Sequence, residues 1–266
     1  MYDFHVHSSF SGDCKYTMEN MLKGALKKGV KQICFTDHLD FEYGNDLIDF
    51  VFDTNDYFKE INRLKYNYKG IIDVLSGVEI GMQPHLADKK KEFIKTHDFD
   101  FVIMSIHTAK GQSIHEGTFF KNKNVKDVYY EYYQELLFCI NALMDFDVIG
   151  HINLIERHED FMERTLELKE YSDIIETVLK RIIDLGKGIE INTSGIRYGI
   201  GSFHPNTDIL KLYRSLGGEI ITFGSDAHKP EDVCAYYKEA IELLKSIGYR
   251  YIAIYKNRKP QFIKIE

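Results

Sequence analysis

Six histidines of this chain follow short apolar segments of the kind that form buried strands. They are His5, His7, His38, His107, His151 and His228. Two acidic residues, Glu79 and Asp226, lie at equivalent positions. Imidazole and carboxylate groups are the ligands that zinc, manganese and iron use in proteins. The pattern therefore predicts a metal site built from the ends of several strands.

The motif His5-Val6-His7 ends the first of these segments. Because the side chains of a strand alternate between its two faces, His5 and His7 point to the same side. This pair alone is a weak signal, since two surface histidines often have the same spacing. Similar motifs recur at later strand ends, namely Thr36–His38, Gly77–Glu79, Ser105–His107, Gly150–His151 and Gly224–His228.

The ligands require elements that bring distant strand ends together. We predict strands near residues 2–6, 32–36, 72–79, 101–106, 147–151, 189–192 and 219–224. Amphipathic patterns predict helices over Thr17–Lys28, Tyr129–Met144, Ser172–Leu185 and Glu231–Ile247, and the chain ends in a strand pair, Tyr251–Tyr255 and Gln261–Ile265. Alternating strands and helices indicate a parallel sheet, and ligands at so many strand ends favour a closed α/β barrel over an open sheet.

Composition limits the remaining alternatives. A length of 266 residues with 44% hydrophobic residues suits one domain over residues 1–266. The net charge of -7 disfavours nucleic acid as a partner, and no apolar segment is long enough to enter a membrane. The four cysteines lack C-x-x-C spacing, which favours a reducing, cytoplasmic location. The oligomeric state is left open.

Taken together, these motifs resemble the PHP family of metal-dependent phosphoesterases. The resemblance covers nearly the whole chain and implies a distorted (β/α)7 TIM-like barrel with three divalent metal ions, of manganese, iron or zinc, at the C-terminal ends of the strands. It implies that one metal takes His5, His7, Glu79 and Asp226, that a second shares Glu79 and adds His107 and His151, and that a third takes Asp13, His38 and His228. Many members of the family have histidine where this chain has Asp13.

Two arginines, Arg157 and Arg197, lie on predicted loops after the fifth and sixth strands, where a guanidinium can bind phosphate. The segment Asn192–Arg197, the long loop Leu39–Asp56 and the ending Tyr255–Pro260 are similar to the histidinol-phosphate phosphatase branch of the PHP family. This resemblance implies a phosphomonoesterase that hydrolyses L-histidinol phosphate in histidine biosynthesis. The expected mechanism is attack by a hydroxide that bridges two metals.

The sequence also offers candidates for proton transfer and for substrate contacts. Asp226, His228 and a metal-bound water are alternative donors of the proton that the leaving alkoxide needs. We predict substrate contacts for His115, His204 and Tyr43, and a surface position for His158. The alternative functions are a PHP phosphoesterase that acts on a nucleotide or another small phosphomonoester, and a metal-binding regulatory protein without turnover.

Overall fold

The computed structural model describes residues 1–43, 50–158 and 165–265. Its strands are β1 (Tyr2–Val6), β2 (Gln32–Phe35), β3 (His38–Leu39), β4 (Asp73–Gly81), β5 (Phe101–Ser105), β6 (Thr108–Ala109), β7 (Gln112–Ser113), β8 (Val148–Ile149), β9 (Gly188–Asn192), β10 (Ile221–Gly224), β11 (Tyr251–Lys256) and β12 (Lys259–Lys264). The main sheet is parallel in the order β1-β2-β4-β5-β8-β9-β10, with β3 beside β4.

The first and last strands of this sheet meet and nearly close it into a barrel. Val6 forms a parallel bridge with Ala227, and the amide of Asp226 donates to the carbonyl of His5 at 2.8 Å. The predicted TIM-like barrel of seven strands is therefore confirmed, and each predicted barrel strand lies within two residues of an observed one.

The helices within the described residues cover the outside of the barrel. They are α1 (Met18–Lys27), α2 (Thr54–Asn67), α3 (Ala87–Lys95), α4 (Val125–Leu143), α5 (Ser172–Asp184), α6 (Ser194–Arg197), α7 (Thr207–Ser215) and α8 (Tyr237–Ile247). In α1 the Thr17 side chain caps the amide of Asn20, and the apolar stripe faces the core. No helix in these ranges is both long and apolar enough to span a bilayer.

One helix prediction and one loop prediction were wrong. The segment predicted as a helix from Glu231 begins only at Tyr237, because Cys234 and Tyr236 have φ angles of 53° and 57°, which interrupt a right-handed helix. The predicted loop Leu39–Asp56 contains β3 and the start of α2, which Asp53 caps; its residues 44–49 lie outside the described residues.

The antiparallel pair β11–β12 turns at Asn257 and Arg258 and packs at the N-terminal end of the barrel. There Phe101 contacts Phe4 and Tyr255, with ring centroids 5.2 and 4.9 Å apart. Because this end is filled by the core, the loops at the opposite, C-terminal end are the ones that form the candidate site.

Candidate metal centre

The predicted ligands converge at the C-terminal ends of the barrel strands. The structure brings together His5, His7, Asp13, His38, Glu79, His107, His151, Asp226 and His228. Within this set, several groups of three residues have ligand atoms that all lie within 4.8 Å of one another. Residues separated by up to 223 positions in the chain thus form one cluster of imidazole and carboxylate groups.

Glu79 lies at the centre of this cluster, and its side chain is completely buried. Its Oε1 lies 3.2 Å from His107 Nε2 and 2.8 Å from His151 Nε2. Its Oε2 faces three more imidazole nitrogens at 3.0–3.5 Å, those of His5, His7 and His38. One carboxylate that faces five imidazoles with both oxygens is positioned to bridge two metal ions.

Asp13 forms a second grouping at the more exposed side of the cluster. Its Oδ2 lies 3.1 Å from His228 Nε2 and 3.6 Å from His38 Nε2. The His228 ring stacks on His7 with centroids 4.1 Å apart, which joins this grouping to the one around Glu79. The aspartate therefore occupies the place that the resemblance predicted for a ligand.

Asp226 and His151 reach the centre through unusual backbone conformations. Their φ angles are 55° and 22°, and non-glycine residues with positive φ are rare and concentrate at functional sites. The amide of His151 donates to Glu190 Oε2 at 3.0 Å, which helps to hold this turn. The Oδ1 of Asp226 lies 3.3 Å from His7 Nε2 and 3.9 Å from His5 Nε2.

Glu190 orients His5, a role that the sequence analysis missed. It lies in β9, is completely buried, and accepts from His5 Nδ1 at 2.7 Å. This contact leaves Nε2 of His5 as the nitrogen with a free lone pair, as metal binding requires. A Cβ at Gly224 would lie 1.8 Å from Glu190 Oε1, so only glycine fits there. The available signal was a carboxylate between two isoleucines in a buried strand, at Ile189–Ile191.

His7 and His107 are oriented in the same way. His7 Nδ1 lies 3.0 Å from Ser11 Oγ, and because the Ser11 hydroxyl donates to Asp37, it accepts from this imidazole. His107 Nδ1 lies 3.1 Å from a carboxylate oxygen of Asp40. In both histidines Nε2 is the nitrogen directed at the centre of the cluster.

The unpaired polar atoms of the cluster indicate that it can bind metal ions. Four buried atoms at the centre have no hydrogen-bond partner within the described residues, namely His5 Nε2, His7 Nε2, His38 Nδ1 and Glu79 Oε2. Unpaired buried polar atoms are costly, and divalent cations bound among these atoms would satisfy them. Ligand atoms about 2.1 Å from a tetrahedral ion lie about 3.4 Å from one another. The spacings of 3.0–3.5 Å around Glu79 Oε2 agree with that geometry.

Burial and carboxylates act in opposite directions on these imidazoles. Burial lowers the pKa of His5 and His38, but nearby carboxylates outweigh it and hold both pKa values well above the usual range. Against the same effect of burial, Asp40 and Glu79 raise the pKa of His107 to about 9. Burial and the neighbouring imidazoles of His228 and His38 lower the pKa of His7 to about 3.

Loading the metal-free protein with Mn²⁺ at pH 7 is therefore expected to release protons. His5, His38 and His107 are protonated at that pH without metal, and only neutral imidazole binds a metal. The apparent affinity should still be rising with pH near 9, the pKa of His107. Titration calorimetry in buffers of different ionisation enthalpy measures the proton count, and a heat that is independent of buffer would contradict the expectation.

The cluster opens into a cavity of about 460 Å³, a size typical of small-molecule sites. Arg157 lines it, donates to Ser194 Oγ at 2.6 Å and to Asp226 Oδ2 at 3.1 Å, and lies over the Tyr198 ring at 4.3 Å. Tyr43 and His115, both predicted to contact substrate, also line the cavity. Further lining residues that the sequence analysis did not select are Asp40, Phe50, Ile114, Glu116, Leu154 and Tyr198.

Two predicted positions need correction, and Arg197 needs a more exact placement. His204 is completely buried and its Nδ1 donates to Asn153 Oδ1 at 2.9 Å, so it does not form the cavity wall. Arg197 lies behind that wall, where it donates to the carbonyls of Ser225 and Asp226. His158, predicted at the surface, lines the cavity.

Comparison with known proteins agrees with this architecture. The sequence profile of the PHP domain matches residues 3–194. A probable histidinol-phosphatase of Clostridium acetobutylicum is 33% identical over 94% of this chain and 95% of its own length. The histidinol-phosphatase of Lactococcus lactis is 29% identical over 97% of this chain and 95% of its own length.

A solved structure shows the same fold. The crystal structure of Lactococcus lactis histidinol phosphate phosphatase, complexed with zinc, L-histidinol and phosphate, matches with a TM-score of 0.89 at 28% identity and covers 98% of both chains. Since the profile matches most of the chain and a relative above 30% identity spans nearly all of it, the protein belongs to the PHP domain family.

Proposed function

We propose that this protein is a histidinol-phosphatase, which hydrolyses L-histidinol phosphate to L-histidinol and phosphate. The observation that carries the proposal is a single cavity that joins the histidine–carboxylate cluster to Arg157. Relatives named histidinol-phosphatase that align along almost their whole length support the choice of substrate.

Three divalent metal ions are proposed, held by the three ligand sets given above. When bound, such ions lower the pKa of coordinated water and neutralise charge on the phosphoryl oxygens. The distances around Glu79, Asp226 and Asp13 support these sets. Zinc in the Lactococcus lactis relative supports a transition metal, and the choice among manganese, iron and zinc stays a prediction.

More than one divalent transition ion per chain is expected in gently purified protein. The reason is that the candidate ligand atoms fall into separate groups that one ion cannot satisfy together. Elemental analysis by plasma mass spectrometry gives the count. A single ion per chain after reconstitution with Mn²⁺, Fe²⁺ or Zn²⁺ would disprove the three-metal proposal.

Arg157 and Arg197 are proposed to bind the phosphate. Arg157 already faces the cavity, and its Nε is buried without a partner among the described residues. The Nη1 of Arg197 is likewise buried and unpaired within those residues, which makes it the atom that we propose for a second contact. A charge-assisted contact with phosphate oxygens satisfies both groups.

The proton for the leaving alkoxide is proposed to come from a cavity water. Burial opposes ionisation of Asp226, but His5, His7 and Arg157 hold its pKa well below the usual range, so this carboxylate carries no proton to give. Both nitrogens of His228 are occupied, since Nδ1 faces the Asp226 carbonyl and Nε2 faces Asp13. These contacts support a water, rather than either of the two candidate side chains, as the proposed acid.

The organic part of the substrate is proposed to lie against the wall formed by Tyr43, Phe50, His115 and Glu116. The Tyr43 hydroxyl is 3.2 Å from Ser113 Oγ, and the Tyr43 ring packs edge-on against Phe50. These contacts hold the aromatic side chains of the wall in place. The carboxylate of Glu116 suits the primary ammonium group that histidinol phosphate carries.

A phosphate-release assay with Mn²⁺ tests the substrate. We expect kcat/KM for histidinol phosphate to exceed that for p-nitrophenyl phosphate and for nucleoside monophosphates. If several unrelated phosphomonoesters are cleaved more efficiently, the alternative of a broader PHP phosphoesterase replaces the proposal. If no phosphate is released from any of them, the protein is a metal-binding regulator instead.

The proposal also covers domain organisation and location. We propose one domain over residues 1–266, because β11–β12 packs on the barrel core rather than forming a core of its own. The cysteines Cys14, Cys34, Cys139 and Cys234 are all unpaired and buried, which supports a reducing, cytoplasmic location.

A further inference from the structure

Lys90 is a completely buried lysine that lies behind the metal centre, outside the cavity wall. It belongs to α3, where the other buried residues are Ala87 and Ile94. Lysine is almost never fully buried unless its charge is compensated. A buried ammonium in this place therefore needs a structural or functional reason.

The ammonium of Lys90 joins the ends of two strands that carry candidate ligands. It donates to the carbonyl of Gly81, at the end of β4, and to the carbonyl of Leu39, in β3, at 3.2 Å. His38 immediately precedes Leu39, and Glu79 lies two residues before Gly81. In the sheet His38 pairs with Glu79, so Lys90 ties the two ligand-bearing strands where they leave the barrel.

Asp40 connects this ammonium to a third ligand. Its carboxylate lies 3.1 Å from His107 Nδ1, and the Nε2 of the same ring lies 3.2 Å from Glu79 Oε1. Asp40 directly follows Leu39, whose carbonyl accepts from Lys90, and its carboxylate packs against Gly81, the other partner of the ammonium. Both hydrogen bonds of Lys90 therefore end at the backbone beside a buried carboxylate that orients a candidate metal ligand.

Gly81 shows how tightly this carboxylate is packed. A Cβ at this position would lie 1.4 Å from Asp40 Oδ1. Any side chain at position 81 must therefore displace Asp40 from its place beside His107. The close approach gives a way to move Asp40 without changing Asp40 or Lys90.

We propose that Lys90 is a positioning residue of the metal centre, which fixes the ends of β3 and β4 and holds Asp40 on the Nδ1 side of His107. The inference rests on the proposed function, because it presumes that the cluster binds metal. Lys90 touches neither substrate nor metal, and it acts through His38, Glu79 and His107. Changes in the outer partners of metal ligands typically cost 10- to 100-fold in metal affinity.

The test compares Lys90→Met with Lys91→Met, a control on the same helix whose side chain lies at the surface and pairs with Asp88. Affinity for Mn²⁺ is measured by competition with a chelator, and melting of the metal-free protein is followed separately. We expect Lys90→Met to weaken Mn²⁺ binding about 10- to 100-fold and Lys91→Met to leave it unchanged. A folded Lys90→Met variant with wild-type affinity, and only a lower melting temperature, would show a purely structural lysine and overturn the proposal.

Two further variants keep the test decisive if Lys90→Met does not fold. Asp40→Asn keeps the shape of the side chain and removes its charge, and Gly81→Ala displaces the carboxylate while Lys90 is retained. Both should reproduce the loss of Mn²⁺ affinity, and wild-type affinity in both would refute the inference. If Lys90→Met folds, its effect should be smaller in the Asp40→Asn background than alone, since coupled residues are not additive.

The wild-type measurement separates this inference from the proposed function. Absence of Mn²⁺ binding by the wild-type protein would refute the proposed metalloenzyme. Tight binding by the wild type together with unaltered binding by the variants would refute only the role of Lys90.

Discussion

Replacing Glu79 by glutamine is expected to lower kcat/KM for histidinol phosphate on the order of 10³-fold. Both carboxylate oxygens face histidine nitrogens, and an amide offers only one oxygen and places an NH₂ group where the other was. Loss of a bridging ligand removes metal-based charge stabilisation of several kcal/mol, and each ~1.4 kcal/mol is a factor of ten in rate. Metal content by plasma mass spectrometry should fall together with activity.

Glu135→Gln is the matched control for this prediction. Glu135 is a buried glutamate of α4 that pairs with Lys110 at 3.2 Å, away from the cavity wall. It should keep the wild-type metal content and kcat/KM, even if the melting temperature changes. Circular dichroism checks that Glu79→Gln is folded. A folded Glu79→Gln protein with full metal content and full activity would exclude the central role assigned to this carboxylate.

Arg157→Ala is expected to lower kcat/KM for histidinol phosphate about tenfold to a hundredfold. A hydrogen bond to a charged group contributes ~1.5–3 kcal/mol, and Arg157 lines the cavity with an Nε that has no partner among the residues the structure describes. Arg157→Lys should recover only part of this loss, because an ammonium lacks the planar fork that matches phosphate. Because Arg157 also donates to the carboxylate of Asp226, a candidate ligand, metal content is measured alongside and should fall less than kcat/KM.

Arg197→Ala separates phosphate binding from ligand positioning. Arg197 holds the backbone carbonyl of Asp226 at 2.9 Å, so its loss should reduce metal content as well as kcat/KM. The exposed Arg63, which pairs with Glu19 and Glu60 at the surface, serves as the control and should be neutral when changed to alanine. For the other arginine, a wild-type kcat/KM in Arg157→Ala would rule out the proposed contact between Arg157 and phosphate.

The sequence by itself determined the barrel and the set of residues at its C-terminal end. Side chains alternate between the two faces of a strand, so His5 and His7 lie on the same face. Parallel strands have their carboxyl ends at one edge of the sheet. Both rules depend only on local pattern. This is why the predicted strands agree with the observed ones within two residues, whereas the helix Glu231–Ile247 was predicted too long.

Only the tertiary structure decided which residues orient the ligands. Glu190 meets His5 across 185 positions of the chain, and Asp40 meets His107 across 67, and no local period marks such pairs. The role of Lys90 is not visible in the sequence either. It lies in a lysine-rich helix, which is typical of a protein surface, and only the packing shows that it is buried. For His204 the sequence predicted a substrate contact, because it lies in a loop at the active end of the barrel. The structure shows that this histidine is completely buried. Contacts between distant segments depend on how the closed barrel packs. They arise from all the interactions of the chain together, so no local sequence pattern predicts them.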